Sequence, residues 1–308
     1  MLSQTAIWVI FGLGVCFSLF LDLFVFHKKA EEPSFKRSLK DVIFYLVLAA
    51  LFGVFLAYER GTEAGALFLT GFLVELSLSF DNIFVMALVF AGLHIPKKYH
   101  HRVLFFGILG AVVFRAIMIF LGVQIIERFH FILYVFSVFL IFTGAKMIFS
   151  KPHEEGKITD SRLYRFLSRK LRMVRTLNGE HFVIRRKGIL FATPLLMALI
   201  IIEFMDIVFA VDSIPAIFLI TQDTLIVYTS NIFAILGLRA KYFLLSSATT
   251  SFPYLKNAIS VILIFIGLKI FAPVFGFHIT PTVSLIVTGI LLSIGIFGSV
   301  IKKRLLEK

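Results

Sequence analysis

Two motifs place carboxylates inside apolar stretches of this chain. The first reads Glu75-Leu-Ser-Leu-Ser-Phe-Asp81-Asn82-Ile83 and the second Asp206-Ile-Val-Phe-Ala-Val-Asp212-Ser213-Ile214, and they lie 131 residues apart. A charged side chain at hydrocarbon depth costs roughly 2.5–3.5 kcal/mol even on the mildest scale. A sequence that carries this cost twice, at matching places, points to cation binding where two halves of a membrane protein meet. The donors are carboxylates, the Asn82 amide, the hydroxyls of Ser77, Ser79 and Ser213, and backbone carbonyls. These are hard oxygen ligands of the kind that suit Mg, Ca or Mn. Neither motif contains His or Cys, which a zinc or copper site would normally show.

The two acids of each motif are six positions apart, about 9 Å of rise and a different helix face. Either the helix is broken, or each motif gives one carboxylate to a shared site and uses the other elsewhere. Pro215 favours a break in the second copy, because it removes a hydrogen bond to the Val211 carbonyl and crowds that turn. The first copy has Phe84 at that position. A second tier of candidates comprises Asp22, Glu203, Arg115, Arg239 and Asn231. Asp22 is expected to pair with Lys28 or Lys29, and Arg239 lies close enough to a membrane face to snorkel. If the four motif carboxylates and both arginines come together, the local charge is −2, which suits one divalent cation. Lys146 and Lys269 are expected to snorkel to opposite faces. Histidines 94, 100, 101, 153 and 181 fall in polar connections and are expected at solvent or headgroups.

What must position these residues is a bundle of membrane helices. The 308 residues are 59% hydrophobic, and apolar runs long enough to cross a bilayer recur along nearly the whole chain. The runs are continuous and not alternating, which argues against a β-barrel. The single cysteine, Cys16, excludes an intrachain disulfide and a cysteine-based metal site. We expect an all-α polytopic fold of about nine spans, near 5–26, 41–58, 66–93, 103–123, 129–150, 189–220, 225–245, 254–275 and 279–301. The first is expected to be a retained helix and not a signal peptide. With this assignment 24 of the 31 Lys and Arg fall on one side. The positive-inside rule then puts the N-terminus outside and the C-terminus in the cytoplasm of a bacterial inner membrane. That distribution also explains the net charge of +13 without nucleic acid. The basic loop at 151–187 interleaves cations with apolar residues, as in Arg162-Leu-Tyr-Arg165-Phe-Leu. It suits contact with anionic headgroups, or a solvated topology signal.

Similarity between the halves extends past the acids. Gly110-Ala-Val-Val-Phe-Arg115 resembles Gly237-Leu-Arg239, and Leu140-Ile-Phe-Thr-Gly144-Ala-Lys146 resembles Leu263-Ile-Phe-Ile-Gly267-Leu-Lys269. Spans 3–5 would then repeat as spans 6–8, and three spans per unit make the repeat inverted. The expected organisation is peripheral spans 1–2 in 1–65, a first repeat in 66–150, the basic loop in 151–187, a second repeat in 188–276, and a last span with its tail in 277–308.

Phe209-Ala-Val-Asp212-Ser213-Ile-Pro215-Ala-Ile, followed by Thr229-Ser-Asn231-Ile-Phe-Ala-Ile-Leu-Gly237-Leu-Arg239, resembles the TerC family of integral membrane proteins. Glu75 to Asn82 is similar to that family's other acidic motif. The resemblance implies that Glu75, Asp81, Asn82, Asp206, Asp212 and Ser213 line a metal pathway. Members of the family are associated with manganese efflux, metal supply to exported enzymes, tellurite resistance or membrane-protein assembly. Two departures stand out: Lys241 replaces a usually apolar residue, and Thr224 replaces a frequent proline. Lys241 is expected at the cytoplasmic face; pointing inward, it would add positive charge beside the path and weaken a cation-transport reading.

The expected function is export of Mn²⁺ or a similar divalent cation, by exchange for protons, with no cofactor. One rival is a membrane scaffold or insertion factor whose acids are structural. Another is an oxyanion transporter, prompted by Arg115 and Arg239. No nucleophile–base pair or cofactor motif points to an enzyme.

Overall fold

A computed structural model describes residues 2–22, 34–121, 130–149, 173–174, 177, 179–186, 188–218, 220–252, 254–277 and 279–306. Most of the 151–187 loop therefore lies outside the described residues, as do Lys28, Lys29, His153 and the side chain of Asp212. Among these residues ten α-helices follow in order: α1 (Gln4–Phe20), α2 (Phe35–Arg60), α3 (Thr62–Gly92), α4 (His100–Leu121), α5 (His130–Phe149), α6 (Pro194–Phe218), α7 (Thr224–Leu236), α8 (Leu238–Ser251), α9 (Leu255–Phe271) and α10 (Pro281–Leu306). Every expected span carries a helix, and the seventh is divided into α7 and α8. Among the described residues six helical stretches are long and apolar enough to cross a membrane, and α1 and residues 286–302 are shorter apolar helices. The apolar surface fits a lipid surround. Leu13, Leu51, Val54, Phe120, Phe142 and Phe297 are all exposed on the outside of the bundle.

Two expectations about helix breaks are corrected. α6 runs without interruption through Pro215, so the missing hydrogen bond is absorbed without ending the helix. The interruption falls instead at Gly237, between α7 and α8. There the backbone passes so close to α2 that a Cβ would stand 3.4 Å from that of Tyr45. The sixth span also begins later than expected. Residues 189–192 form β2, paired antiparallel with β1 (Val183–Arg186), and Arg186 faces Ile189 across the turn. Gly188, at φ 82°, supplies the positive φ this tight turn needs. Pro194 then opens α6 at a position where its missing N–H costs nothing.

α3 is the central helix. It packs against α2, α6, α7, α8, α9 and α10. Gly61, at φ 99°, is the single residue linking α2 to α3. Gly65 lets the two helices close, since a Cβ there would meet Ala57 Cβ at 2.6 Å and the Gly53 carbonyl at 2.7 Å. Phe52, Phe68 and Phe233 fill the space between α2, α3 and α7 with ring centroids 4.8–5.7 Å apart. α5 and α9 form another close pair, and its contacts are reciprocal. A Cβ on Gly144 would meet the Ser260 carbonyl at 2.6 Å and Ile264 at 2.8 Å, while one on Gly267 would meet the Ser137 carbonyl at 2.8 Å and Ile141 at 2.6 Å.

Candidate functional site

Arg115, on α4, is fully buried and holds the two motifs together. Its Nη1 donates to Glu75 Oε1 and, at 2.6 Å, to Asn231 Oδ1. Its Nη2 and Nε donate to Asp206 Oδ1 and Oδ2 at 3.0 and 3.3 Å, a two-pronged pairing that fixes the guanidinium plane. Asn82 Nδ2 donates to the same Asp206 Oδ1 at 3.3 Å. Four helices thus converge on one cation, and the first acid of each motif meets its counterpart there. The side chains are 1–4% exposed, so the pairing is made in a dry interior. Of the two arrangements open in the sequence, both motif helices are continuous, and in the first motif the two acids are directed to different partners.

The second acid of the first motif, Asp81, turns to a different cation. Lys269 Nζ, on α9, lies 3.0 Å from Asp81 Oδ2, and both side chains are buried. Lys269 therefore does not snorkel, in contrast with Lys146, which is exposed. The reason is a buried acid within reach: without Lys269 the Asp81 carboxylate would lose the cation paired with it in the interior, which is costly. Lys241, on α8, also points inward and not to the cytoplasmic face. It donates to Ser79 Oγ at 2.5 Å and to the Ala234 carbonyl at 3.2 Å.

Between these groups lies a small chamber bordered by Glu75, Asp81, Asn82, Phe209, Ser213 and Lys269. About 10 Å³ of it admits the centre of a water molecule, close to the least a single water requires. Glu75 Oε2, Asn82 Oδ1 and Ser213 Oγ are buried and lack a hydrogen-bond partner. A buried polar atom left unpaired costs about 1–3 kcal/mol, so three beside one chamber need an explanation. Among the described residues no three His, Cys, Asp or Glu side chains are grouped to hold an ion. The chamber's donors are instead carboxylate, amide and hydroxyl together.

Arg239 belongs elsewhere. It is buried, and its Nη2 donates to the Asp22 carboxylate and, at 3.1 Å, to the Asp22 carbonyl. Tyr45 donates to the same carboxylate, and Asp41 lies nearby on α2. Arg239 therefore does not snorkel, and its acid partner lies just past the end of α1. The −2 balance expected for the centre changes accordingly. Arg239 leaves it, and Lys241 and Lys269 join it. With Asp212 outside the described side chains, Glu75, Asp81 and Asp206 face Arg115, Lys241 and Lys269. Glu203 is half-buried, its carboxylate lying over Gly110 where a Cβ would otherwise be.

The sequence reading missed Lys269 as an interior group, although it belongs to a repeat landmark in an apolar helix; for Lys241 the inward alternative, which weighs against cation transport, is the one observed. The sequence reading also placed His100 at a polar surface. His100 is buried, stacked on Phe90 at 3.9 Å, with its ring nitrogens 2.8 Å from the Ile95 carbonyl and 2.6 Å from the Tyr242 hydroxyl. Those partners satisfy it as a core residue. His94 and His181 are exposed as expected.

A many-helix membrane bundle with paired acids and cations at its centre is the class of protein that fold and site define. The chain belongs to the TerC family of integral membrane proteins, whose sequence model matches residues 60–306. It is a multi-pass integral membrane protein. It is 46% identical over 301 residues to an uncharacterized membrane protein of Rickettsia bellii, covering 98% of this chain and 99% of that one. An uncharacterized membrane protein of Myxococcus xanthus is 46% identical over 302 residues, covering 98% and 94%. A protein of Escherichia coli named putative membrane-bound redox modulator Alx is 43% identical over 308 residues, covering 97% and 95%. No solved structure matches the chain.

Proposed function

We propose that this protein is a bacterial inner-membrane exporter of a divalent cation, with Mn²⁺ the best-fitting ion, and that export is coupled to protons. The observation that carries the reading is the chamber. Glu75, Asp81 and Asn82 from one motif and Ser213 from the other border it, and three of their oxygens are unpaired. One or two carboxylates with neutral oxygens and residual water is how small hard divalent ions are commonly held. Asp212, next to Ser213, is the remaining candidate ligand. Protons replacing the ion on these carboxylates would supply the exchange. The reciprocal glycine contacts of α5 and α9 support reading 66–150 and 188–276 as inverted repeats, the arrangement in which a site between halves alternates its access. The charge distribution supports an outside N-terminus and cytoplasmic C-terminus.

The oxyanion reading is less well supported. Arg115, the cation it would need, spends its donors on Glu75, Asp206 and Asn231. Among the described residues of the site no nucleophile is assembled with a base, and transport is the activity proposed. The test is cellular manganese, by elemental analysis, in an exporter-deficient bacterium challenged with Mn²⁺. Cells carrying the parent protein are expected to hold little manganese. Cells carrying Asp81→Asn or Asp212→Asn at equal membrane abundance are expected to accumulate it. Equal manganese in all strains, with calcium, magnesium and iron unchanged, would overturn export and favour a scaffold.

A further inference from the structure

We infer that Lys269 is a tethered stand-in for the transported ion: its ammonium occupies the Asp81 end of the chamber and must move out before the substrate cation can bind. The inference rests on the proposed export reading and adds to it a residue that neither acidic motif contains.

Three observations lead to it. Lys269 Nζ is 3.0 Å from Asp81 Oδ2, and its side chain is 8% exposed. It borders the same chamber as Glu75, Asn82 and Ser213, whose free oxygens it leaves unpaired. The chamber has room for about one water, so the ammonium and a hydrated divalent ion do not fit together. A cation on Asp81 repels another cation at the same oxygens, and in a dry interior that repulsion is weakly screened. The two states therefore exclude each other by both volume and charge.

Lys269 has somewhere else to go. It lies near the end of α9, three residues before the 3₁₀ segment Ala272–Phe275. A lysine near the end of a membrane helix can carry its ammonium to the interface while its stem stays in apolar surroundings. With the N-terminus outside, that end of α9 faces the exterior. Arrival of an ion from the cytoplasmic side would drive the ammonium outward. Its return to Asp81 after release would close the chamber against ions coming back. Arg115 cannot play this part, because it is held by both motifs and by Asn231.

The experiment is Mn²⁺ binding to the purified full-length protein in detergent at constant pH, together with Mn²⁺ flux in proteoliposomes. Parent, Lys269→Met, Lys269→Gln and Lys269→Arg are compared. Loss of the competing charge is expected to tighten equilibrium Mn²⁺ binding by about tenfold in the Met and Gln variants. Release and turnover are expected to slow in both. Lys269→Arg, which keeps the charge, should keep an affinity near the parent's, whereas a merely structural lysine predicts no gain of affinity in the Met and Gln variants. Unchanged or weaker binding in a folded Met or Gln variant, with the parent binding normally, overturns the inference and leaves the export reading intact. Binding seen only in the neutral variants supports it. Saturable binding of Mn²⁺ by none of the four proteins, and no flux, overturns both.

Discussion

Two buried arginines occupy related places in the sequence and have different surroundings. Arg115 is bound by Glu75, Asp206 and Asn231, all on helices of the region that the TerC family model matches. Arg239 is bound by Asp22, just past the end of α1, with Tyr45 and Asp41 nearby on α2, so its partners lie before that region. One arginine joins the two motifs; the other docks a peripheral pair of helices onto the core. A cation in an apolar helix thus declares that a partner exists, while the partner's location decides whether the cation belongs to the site. Net charge at the centre follows from that assignment, because it removes Arg239 and admits two lysines.

The largest expected effect separates the two arginines. Arg115→Gln leaves Glu75 and Asp206 buried side by side with no cation between them. Breaking such a buried pairing costs about 3–5 kcal/mol, so the folded protein should be lost from the membrane or melt far earlier in detergent. Arg239→Gln strands chiefly Asp22 and should lower Tm less. Equal losses would show that α1 docking is as integral to the fold as the motif junction. The double variant Asp22→Asn with Arg239→Gln should recover part of the single-variant loss, since neither charge is then left alone. Manganese content sharpens the same contrast: Asp206→Asn is expected to abolish export, and Asp22→Asn to preserve it at equal abundance.

What the sequence made legible follows the range of each signal. The spans were readable because hydrophobic length is local, and the acidic motifs because their cost in lipid is high at any position. That Glu75 and Asp206 approach each other was implied by their matched positions. The Lys269–Asp81 pair spans 188 residues and no pattern connects them, so the snorkelling rule gave the wrong expectation. Pro215 misled for a different reason. A proline removes one hydrogen bond, and the packed surroundings of α6 keep the helix intact, whereas Gly237 ends α7 where a neighbouring helix comes close. His100 reads as a loop residue until Phe90 and Tyr242 are seen around it.

A smaller effect probes the two halves. Gly144→Ala and Gly267→Ala each force a methyl group into backbone on the facing helix. Overpacking of this kind costs about 1–3 kcal/mol, and the reciprocal geometry predicts similar falls in Tm for the two. Falls that differ by more than the smaller of them would show that the α5–α9 contact is not equivalent in its two directions.

The smallest expected effect compares the neutral side chain that supports each arginine's ion pair. Tyr45→Phe removes a hydroxyl that supports Asp22 but leaves the carboxylate paired with Arg239. A net loss of about 0.5–1.5 kcal/mol is expected, of the size of one hydrogen bond, with export unchanged. Asn231→Ala removes an acceptor from Arg115 Nη1, which still holds Glu75. Its stability loss should be of similar size, but its position at the motif junction predicts a further loss of export. The two substitutions therefore separate what thermal melting cannot. If Tyr45→Phe impaired export as strongly as Asn231→Ala, the α1–α2 pair would be part of the transport machinery, and the distinction between the two arginines would fail.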